Sequence, residues 1–273
     1  MNETKLAVIG SGQMGQALVR SFIKEFMNPE QIYLYDIDEQ KAIKAASEIG
    51  CKTIDSSDTG ILKDCQAILL AVKPQVIKNA ISEIVSLIDE RALVISIAAG
   101  VSLKLLRSYG LKNNPLARVM PNTPALVGAA VSGIAYDNIG DNQKKWVTAL
   151  FSSSGLAIEV PEDQLDAITG MSGSGPAYMM MIIEAMADAG VRQGLSRDQS
   201  IQIAAMTMYG SAKLVIESGM HPAQLKDQVC SPGGTTIAAV ASLEKNGLRN
   251  AMIEAVAAAA EKSKMLAKSG ENI

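Results

Sequence analysis

Three glycines near the amino terminus stand at the spacing of a phosphate-binding loop. The segment Gly10-Ser11-Gly12-Gln13-Met14-Gly15 follows a short apolar run and opens a stretch of helical periodicity. Gly10 permits a tight turn, Gly12 leaves room for a diphosphate against the backbone, and Gly15 lets the helix pack close to the sheet. Exposed N–H groups and the helix dipole then favour a dinucleotide. The alternative interpretation is a purely structural glycine turn.

An acid follows the second predicted strand. Asp36 stands at the end of Gln31–Tyr35, where a carboxylate accepts both ribose hydroxyls of NAD and repels the 2′-phosphate of NADP. The nearest following cations are Lys41 and Lys44, and no arginine follows closely. The sequence therefore favours NADH over NADPH. Asp38 offers a second carboxylate, and we expect it to cap the next helix.

A second glycine-rich segment lies in the other half of the chain. Ser231-Pro232-Gly233-Gly234-Thr235-Thr236 precedes the apolar run Ile237–Val240 and predicts a helix start with several exposed N–H donors. Such a start binds a carboxylate without a cationic side chain. The alternative is an ordinary turn between helices with a threonine N-cap. The similar joint Gly173–Pro176 is expected to be a plain helix start, because proline suits a first turn.

Several other residues have both a chemical and a structural interpretation. Lys73 follows a predicted strand, so it could place an ammonium group at the carboxyl end of the sheet; a solvated loop lysine is the alternative. In the predicted loop Arg118–Pro124, Asn122 could bond a ligand or close a turn. We expect His221 to be a helix-start residue and Cys230 to be a packed residue, rather than catalytic groups.

Composition argues against several classes of function. The chain has 25 basic and 28 acidic residues, a net charge of −3 and 4% aromatic residues, which does not suit a nucleic-acid-binding surface. Three scattered cysteines predict no disulfide framework and fit a reducing cytoplasm. A single histidine and no Cys-x-x-Cys pair predict no metal site. No segment is typical of a signal peptide or a membrane span, so we expect a cytoplasmic protein.

Strands and helices must position these groups. The first half alternates between short apolar runs, typical of buried parallel strands, and helical segments, which predicts an α/β fold with a doubly wound parallel sheet. After Pro161 the pattern is helical. We therefore predict a dinucleotide-binding domain over residues 1–160 and an all-helical domain over residues 161–273. The predicted strands are Leu6–Ile9, Gln31–Tyr35, Ala67–Val72 and Leu93–Ile97, with edge strands at Ile134–Tyr136 and Ala157–Val160. The predicted helices are Gln13–Lys24, Asp38–Ile49, Ala177–Val191, Arg197–Glu217, Ala223–Val229, Thr236–Glu244 and Arg249–Ala267.

These segments together resemble the pyrroline-5-carboxylate reductase family over nearly the whole chain. The most specific match runs from Pro222 to Glu244. The resemblance implies an N-terminal Rossmann domain and a C-terminal helical dimerisation domain, with the active site between a cofactor domain and the helical domain at the dimer interface. It also implies homodimers, which some members assemble into decamers. The other matching segments are Ile9–Gly15, Ala71–Pro74, Ser96–Gly100, Arg118–Pro124 and Gly173–Tyr178.

The resemblance also implies an activity, the reduction of (S)-1-pyrroline-5-carboxylate to L-proline by NADPH or NADH, the last step of proline synthesis. Hydride would pass from nicotinamide C4 to the imine carbon. The implied substrate site is Ser231, Gly233, Gly234, Thr235 and Thr236, with the Thr236 hydroxyl bonded to the ring nitrogen and Lys73 as a second catalytic residue near the nicotinamide. The implied cofactor residues are Gly10, Ser11, Gly12, Gln13, Met14, Gly15, Asp36, Ala71, Val72, Lys73, Pro74, Ala99, Met120 and Asn122.

One departure concerns the cofactor. Many relatives carry hydroxyl or arginine side chains where this sequence has Asp36, with Asp58 as another nearby acid, so the choice between NADH and NADPH stays open. The alternative functions are a paralogous imine or β-hydroxyacid reductase and a nucleotide-sensing protein without enzymatic activity. We find no convincing match to the catalytic lysine motif of the hydroxyacid enzymes. The intact segment Ser231–Thr236 argues against a sensor.

Overall fold

The structure of the chain, a computed structural model, describes residues 4–55, 57 and 59–270. The chain forms two compact units. The first unit contains the chain up to Ser174 and again from Ala258 onward, and the second contains Gly175–Ala257. None of the helices in the described part of the chain is long and apolar enough to cross a membrane. Asp58, one of the acids considered above, lies outside the described residues.

An eight-stranded sheet forms the centre of the first unit. Its order is β3-β2-β1-β4-β5-β6-β7-β8. The strands from β1 to β6 pair in parallel, β7 runs antiparallel to β6, and β8 pairs in parallel with β7. The first six strands thus have the order typical of dinucleotide-binding sheets. The strands are β1 (Leu6–Ile9), β2 (Ile32–Tyr35), β3 (Lys52–Thr53), β4 (Ala67–Leu70), β5 (Leu93–Ser96), β6 (Leu116–Met120), β7 (Ala130–Asp137) and β8 (Gly155–Glu159).

Helices cover both faces of this sheet. They are α1 (Gln13–Glu25), α2 (Glu39–Ile49), α3 (Ile61–Asp64), α4 (Ile77–Ile84), α5 (Leu103–Ser108), α6 (Asp141–Ser152) and α7 (Leu165–Ile168). Alternate residues of β1 point to opposite faces and enter two separate apolar clusters. One cluster contains Phe22 of α1 and Phe151 of α6, whose rings meet edge to face with centroids 5.5 Å apart. The other contains Ile81 of α4. Burial on both faces explains why these strands are continuous apolar runs.

The order of strand addition reverses at β1, so that strands lie on both sides of it. From β1 the chain passes to β2 on one side, and after β3 it returns to β4 on the other side. The helices that follow β1 and β4 therefore diverge and leave a crevice at the carboxyl ends of these two strands, where ligands of such sheets bind. Two backbone bonds fix this edge: Gly10 N–H donates to Tyr35 O at 2.7 Å, and Ala71 N–H donates to Ile9 O at 2.8 Å.

The second unit is helical. It contains α8 (Gly175–Arg192), α9 (Arg197–Ser218), α10 (Pro222–Gln228), α11 (Thr235–Lys245) and the first part of α12 (Leu248–Gly270). Local sequence sets the ends of α9. Ser196 and Gln199 form a capping box at its start, and Gly219 ends it in the left-handed conformation.

The predicted fold class is confirmed, and two strand predictions need correction. Arg118–Met120 was predicted as part of a loop but belongs to β6, because Leu116–Met120 pairs with β5 on one side and β7 on the other. Ile134–Tyr136 was predicted as an edge strand, but β7 is an interior strand between β6 and β8. Backbone pairing with distant strands decided both cases. The five helices predicted after Pro161 are confirmed, with ends that differ by a few residues.

The compact units do not divide the chain at residue 160. Glu162 and the following turns belong to the first unit. Oε1 of Glu162 accepts bonds from Arg118 Nη1 at 2.9 Å and from Leu103 N–H at 2.8 Å. Asp166 accepts a bond at 2.6 Å from Oγ of Ser263, which lies in the carboxyl-terminal segment of the first unit. The division at 160 stays a prediction about functional domains.

Replacing Glu162 tests how much its bonds to Arg118 and Leu103 contribute to the free energy of unfolding. Glu162→Ala leaves the Arg118 side chain, 9% exposed, without its carboxylate partner, and we expect the free energy of unfolding to fall by about 3 kcal/mol. Urea unfolding followed by circular dichroism measures the change. The control is Glu159→Ala, which removes a carboxylate from the more exposed pair with Lys144 and should cost less than about 1 kcal/mol. Equal losses in the two variants would contradict the expectation.

Candidate active site

The glycine loop between β1 and α1 is packed too closely to hold larger residues at two of its positions. Gly10 has φ +104°, and a Cβ there would lie 2.7 Å from the carbonyl oxygen of Ala71. A Cβ on Gly15 would lie 2.9 Å from the carbonyl oxygen of Gly10. Both glycines therefore let the start of α1 approach the ends of β1 and β4. Gly12 differs, since a Cβ there would meet no atom within 4 Å and would occupy open space.

The first turn of α1 is without a side-chain cap. Its N-cap is Gly12, in an extended conformation with φ −71° and ψ 172°, and no acid stands in the first turn. The N–H groups at the start of a helix need acceptors, and the positive end of the helix dipole favours an anion. Ser11 is not a free donor, because its N–H and Oγ both bond to Asp36. The donors that remain, together with the open space above Gly12, fit the diphosphate of a dinucleotide.

Asp36 is held firmly at the end of β2. Its Oδ2 accepts bonds from Ser11 N–H at 2.7 Å and Ser11 Oγ at 2.8 Å, and it pairs with Lys41 Nζ at 3.4 Å. Its Oδ1 accepts a bond from Asp38 N–H at 3.1 Å. Burial raises the pKa of Asp36, but the bonds from Ser11 and Asp38 and the charge of Lys41 outweigh it, so the pKa lies below its ordinary value of 3.8. The side chain is therefore a carboxylate at neutral pH.

A cavity of about 350 Å³ opens beside these groups, at the crevice of the sheet. Six of the predicted cofactor residues line it: Gly10, Gly12, Asp36, Ala71, Val72 and Lys73. The sequence reasoning missed the rest of the lining, which is Ile9, Tyr35, Ile37, Lys41, Val76, Asn79, Ala80 and Glu83. The last four stand at i, i+3, i+4 and i+7, the spacing of one helix face. That spacing, directly after Lys73-Pro74, was the signal that could have identified them.

The other predicted cofactor residues do not line this cavity. Met14 and Gly15 pack inward at the start of α1, Ser11 is buried under Asp36, and Gln13 is exposed. Both ends of the Asn122 amide have protein partners: Nδ2 donates to Ser172 O at 2.9 Å, and Oδ1 accepts from Val131 N–H at 2.8 Å. Asn122 thus ties the segment after β6 to β7 and to the turn at Ser172. The remaining three are Pro74 at the turn before α4, Ala99 after β5 and Met120 at the end of β6.

The second predicted loop has a similar local design. Gly233 has φ +68°, which favours glycine, and Gly234 is the N-cap of α11 with φ −80° and ψ 174°. No side chain caps this helix. The loop closes as a turn in which Gly234 N–H donates to Ser231 O at 3.0 Å, so the Gly234 N–H is already used. Thr235 and Thr236 are the first two residues of α11, and their N–H groups point toward its uncapped end.

The helices of the chain begin with different kinds of N-cap. Asp38 caps α2 and His221 caps α10, as predicted, through bonds to Lys41 N–H and Ala223 N–H. Serines cap α5 and α9. Glycine is the N-cap of α1 and α11 and also of α3 and α6, at Gly60 and Gly140, and none of these four helices has a side-chain cap bond among the described residues. What sets α1 and α11 apart is that each follows one of the two glycine-rich loops. Each lies in its own compact unit.

Known proteins resemble this chain along its whole length. A family model described as pyrroline-5-carboxylate reductase dimerisation matches residues 162–266, and one described as NADP oxidoreductase coenzyme F420-dependent matches residues 5–100. The pyrroline-5-carboxylate reductase of Methanosarcina acetivorans is 42% identical over 98% of this chain and 100% of its own. The Escherichia coli enzyme of the same name is 41% identical over 98% of this chain and 100% of its own. The chain belongs to the pyrroline-5-carboxylate reductase family.

Solved structures agree with this family assignment. A pyrroline-5-carboxylate reductase from Coxiella burnetii superposes with a TM-score of 0.91 at 32% identity, over 97% of this chain and 98% of that one. The Plasmodium falciparum pyrroline carboxylate reductase, solved with NADP bound, has a TM-score of 0.84 at 34% identity, over 98% and 99% of the two chains. The two family models between them cover both predicted binding loops, since α1 lies within residues 5–100 and α11 within residues 162–266.

Gly12 offers a clean test of the first site. Gly12→Ala puts a methyl group into open space without a clash, in a backbone conformation that alanine accepts, so the chain should fold normally. The methyl group would stand where a diphosphate must approach, and we expect dinucleotide affinity to fall by about ten-fold or more. Titration of nicotinamide fluorescence with NADH and NADPH measures the loss.

The matched control is Gly140→Ala. Gly140 is also a glycine N-cap, with φ −81° and ψ 156°, and a Cβ there meets a single atom at 3.8 Å. Its helix start does not line the cavity, so dinucleotide affinity should be unchanged. Thermal unfolding of both variants shows that they are folded. Unchanged affinity in Gly12→Ala would remove the glycine loop as the diphosphate site.

Proposed function

We propose that this chain reduces 1-pyrroline-5-carboxylate to L-proline with a reduced nicotinamide cofactor. The observation that carries the proposal is the full-length identity of 41–42% to proteins named pyrroline-5-carboxylate reductase. Two local features support it: an uncapped glycine loop beside a carboxylate in the first unit, and an uncapped glycine loop with two threonines in the second. The first suits a dinucleotide and the second suits a small carboxylate.

The groups of the first unit bind and orient the cofactor in this proposal. When bound, the reduced nicotinamide supplies the hydride that the imine carbon accepts. The first turn of α1 holds the diphosphate, and Asp36 accepts bonds from the adenosine ribose. Lys73 lines the cavity at the end of β4 and has no ion-pair partner among the described residues, so its ammonium group is available near the reacting end. Pro74, Ala99 and Met120 belong to the strand ends on the same edge of the sheet.

The second unit holds the substrate in this proposal. The carboxylate of the imine binds at the start of α11, where the N–H groups of Gly233, Thr235 and Thr236 supply donors without any cationic side chain. The Gly234 N–H closes the turn and shapes the loop rather than binding substrate. Ser231 is the carbonyl partner of that turn. The Thr236 hydroxyl bonds the ring nitrogen and so orients the imine carbon toward the hydride.

We propose that NADH is preferred over NADPH. A ribose diol donates hydrogen bonds, which a carboxylate accepts, whereas a 2′-phosphate beside Asp36 would meet a like charge. The lowered pKa of Asp36 supports this, because the group stays ionised throughout the neutral range. The family's matched domain description names NADP, so the preference rests on this residue.

We propose that two copies associate through the second unit. Its apolar side chains are largely exposed in a single copy, and α9 carries Met206, Tyr209 and Ile216 on the face away from buried Ser200 and Ala204. Met206 is 67% exposed and Ile216 is 80% exposed. Large exposed apolar patches mark interaction surfaces, and the matched family model names dimerisation. Assembly of dimers into decamers stays a prediction.

We also propose a cytoplasmic location and no role for a cysteine nucleophile. Cys51, Cys65 and Cys230 are free thiols, which suits a reducing compartment. Burial raises the pKa of both Cys51 and Cys65 to about 11. Because the thiolate is the reactive form, these two side chains are unreactive at neutral pH. The proposed chemistry needs hydride transfer and positioning, and neither requires a thiol.

Cofactor oxidation by the purified chain tests the proposed function. We expect oxidation of NADH and NADPH that depends on pyrroline-5-carboxylate and forms proline, with the higher kcat/KM for NADH. Thr236→Ala should lower kcat by about 10- to 100-fold, because it removes a hydrogen bond to the reacting ring. Thr236→Ser keeps the hydroxyl and should restore most of the rate. Ser242→Ala, which removes a hydroxyl further along α11, is the matched control and should have no effect.

Two results would overturn this proposal. A folded chain that binds dinucleotide but shows no imine-dependent oxidation would favour a sensor or a paralogue with another substrate. Unchanged turnover in Thr236→Ala would remove Thr236 from the mechanism.

Charged substitutions on α9 test the proposed dimer. Met206→Asp combined with Ile216→Asp places two carboxylates on the exposed apolar face, so we expect the mass from light scattering to shift from a multiple of 28.8 kDa toward 28.8 kDa. Dinucleotide binding shows that the first unit of the variant is still folded, and an unchanged helical signal in circular dichroism shows that the second unit is. Val127→Asp changes an equally exposed apolar residue, 81% exposed, in the first unit, and should leave the mass unchanged. A parent chain that is already monomeric would contradict the proposal.

A further inference from the structure

The hydrogen bonds to Asp36 occupy the acceptor sites of one of its two carboxylate oxygens. Oδ2 accepts three donors, the N–H and hydroxyl of Ser11 and the ammonium of Lys41, whereas Oδ1 accepts the single N–H of Asp38. A carboxylate offers about four lone-pair sites in all. A ribose diol that bonds both oxygens must therefore displace one of the donors on Oδ2.

Lys41 is the donor that can leave. The Ser11 bonds are shorter, at 2.7 and 2.8 Å, and come from a fully buried residue. The Lys41 contact is the longest at 3.4 Å, and its side chain is 48% exposed, against 11% for Asp36. Lysine carries its charge on a flexible stem. The ammonium group can therefore move within the cavity that Lys41 itself lines.

The same ammonium group is placed to neutralise a 2′-phosphate. Such a phosphate would extend from the ribose beside Asp36, where the carboxylate repels it and a nearby cation attracts it. The other lysine that lines the cavity, Lys73, follows β4. It is two strand spacings from the end of β2, about 10 Å at the usual separation of strands. Glu83 also lines the cavity, but as an acid it opposes a phosphate. Lys44 does not line the cavity.

We propose that Lys41 is a specificity-determining residue that exchanges Asp36 for the 2′-phosphate and thereby lets the chain accept NADPH as well as NADH. With NADH, Lys41 yields its place on Oδ2 to a ribose hydroxyl. With NADPH, it pairs with the phosphate and offsets the repulsion from Asp36. The inference rests on the proposed function to the extent that the cavity holds a nicotinamide dinucleotide. It assigns opposite effects to one side chain, depending on the ligand.

Calorimetric titration with two fragments tests this without catalysis. The probes are 5′-ADP and 2′,5′-ADP, which differ by the phosphate on the ribose. In Lys41→Gln we expect the affinity for 2′,5′-ADP to fall by about ten-fold or more. The affinity for 5′-ADP should stay the same or rise, because Oδ2 gains a free acceptor site. Lys41→Arg keeps the charge and should restore binding of 2′,5′-ADP.

Lys44→Gln is the matched control. It makes the same change of charge on the same helix, at an exposed residue outside the cavity, so both affinities should equal those of the parent chain. An equal loss for both probes in Lys41→Gln, no loss for either, or a parent chain that binds neither probe would overturn the inference. If Lys41→Gln loses affinity for 2′,5′-ADP but not for 5′-ADP, and the parent chain shows no imine-dependent oxidation, the inference about Lys41 holds while the proposed reaction fails. In the active chain, Lys41→Gln should lower the ratio of kcat/KM for NADPH to that for NADH by the same factor.

Discussion

The close approach of α1 to the ends of β1 and β4 is the constraint on which the first site depends. A Cβ at Gly10 or Gly15 would lie within 3 Å of a backbone oxygen, so the approach is available only to glycine. Because the helix starts so close to the sheet, its uncapped N–H groups face the crevice where the strand order changes direction. The other groups of the cavity come from the ends of β1 and β2 and from the segments that follow β2 and β4, including one face of α4.

Asp36 shows how polar groups are held at this edge. Burial, which leaves the Asp36 side chain 11% exposed, by itself raises the pKa of the carboxyl group. The Ser11 and Asp38 donors reverse this and lower its pKa. The stabilisation from these bonds is therefore complete above the ordinary pKa of 3.8 and is lost as the pH falls through the lowered value. The donors of Ser11, Asp38 and Lys41 also limit how many hydrogen bonds a ligand can make to Asp36. Lys41 makes the longest of these contacts, at 3.4 Å, and is therefore the group that a ligand can displace.

The helices of the second unit are not buried in a core of their own. Few side chains of this unit are buried in one copy, with Ala187, Ala204 and Leu225 as the apolar examples. Its helices are defined by caps such as Ser196 and Gly219, while their apolar faces lack cover from their own unit. Local signals thus define the helices, and stability of the assembled unit depends on covering those faces. The loop at Gly233 and Gly234 shows the same division, since its turn is closed within itself and its N–H donors stay available.

The sequence by itself determined the elements whose signals are local. The strand–glycine loop–helix order at Gly10–Gly15, the caps at Asp38 and His221 and the five later helices all follow from residues a few positions apart. Tertiary structure decided what depends on distant partners. It placed Arg118 in β6, made β7 an interior strand and gave both ends of Asn122 to the protein. It also brought Lys41 and one face of the turn and helix after Lys73 to the cavity. The spacing of residues along the chain shows which side chains share one face of a helix. Only packing decides which side chains from separate helices line the same cavity.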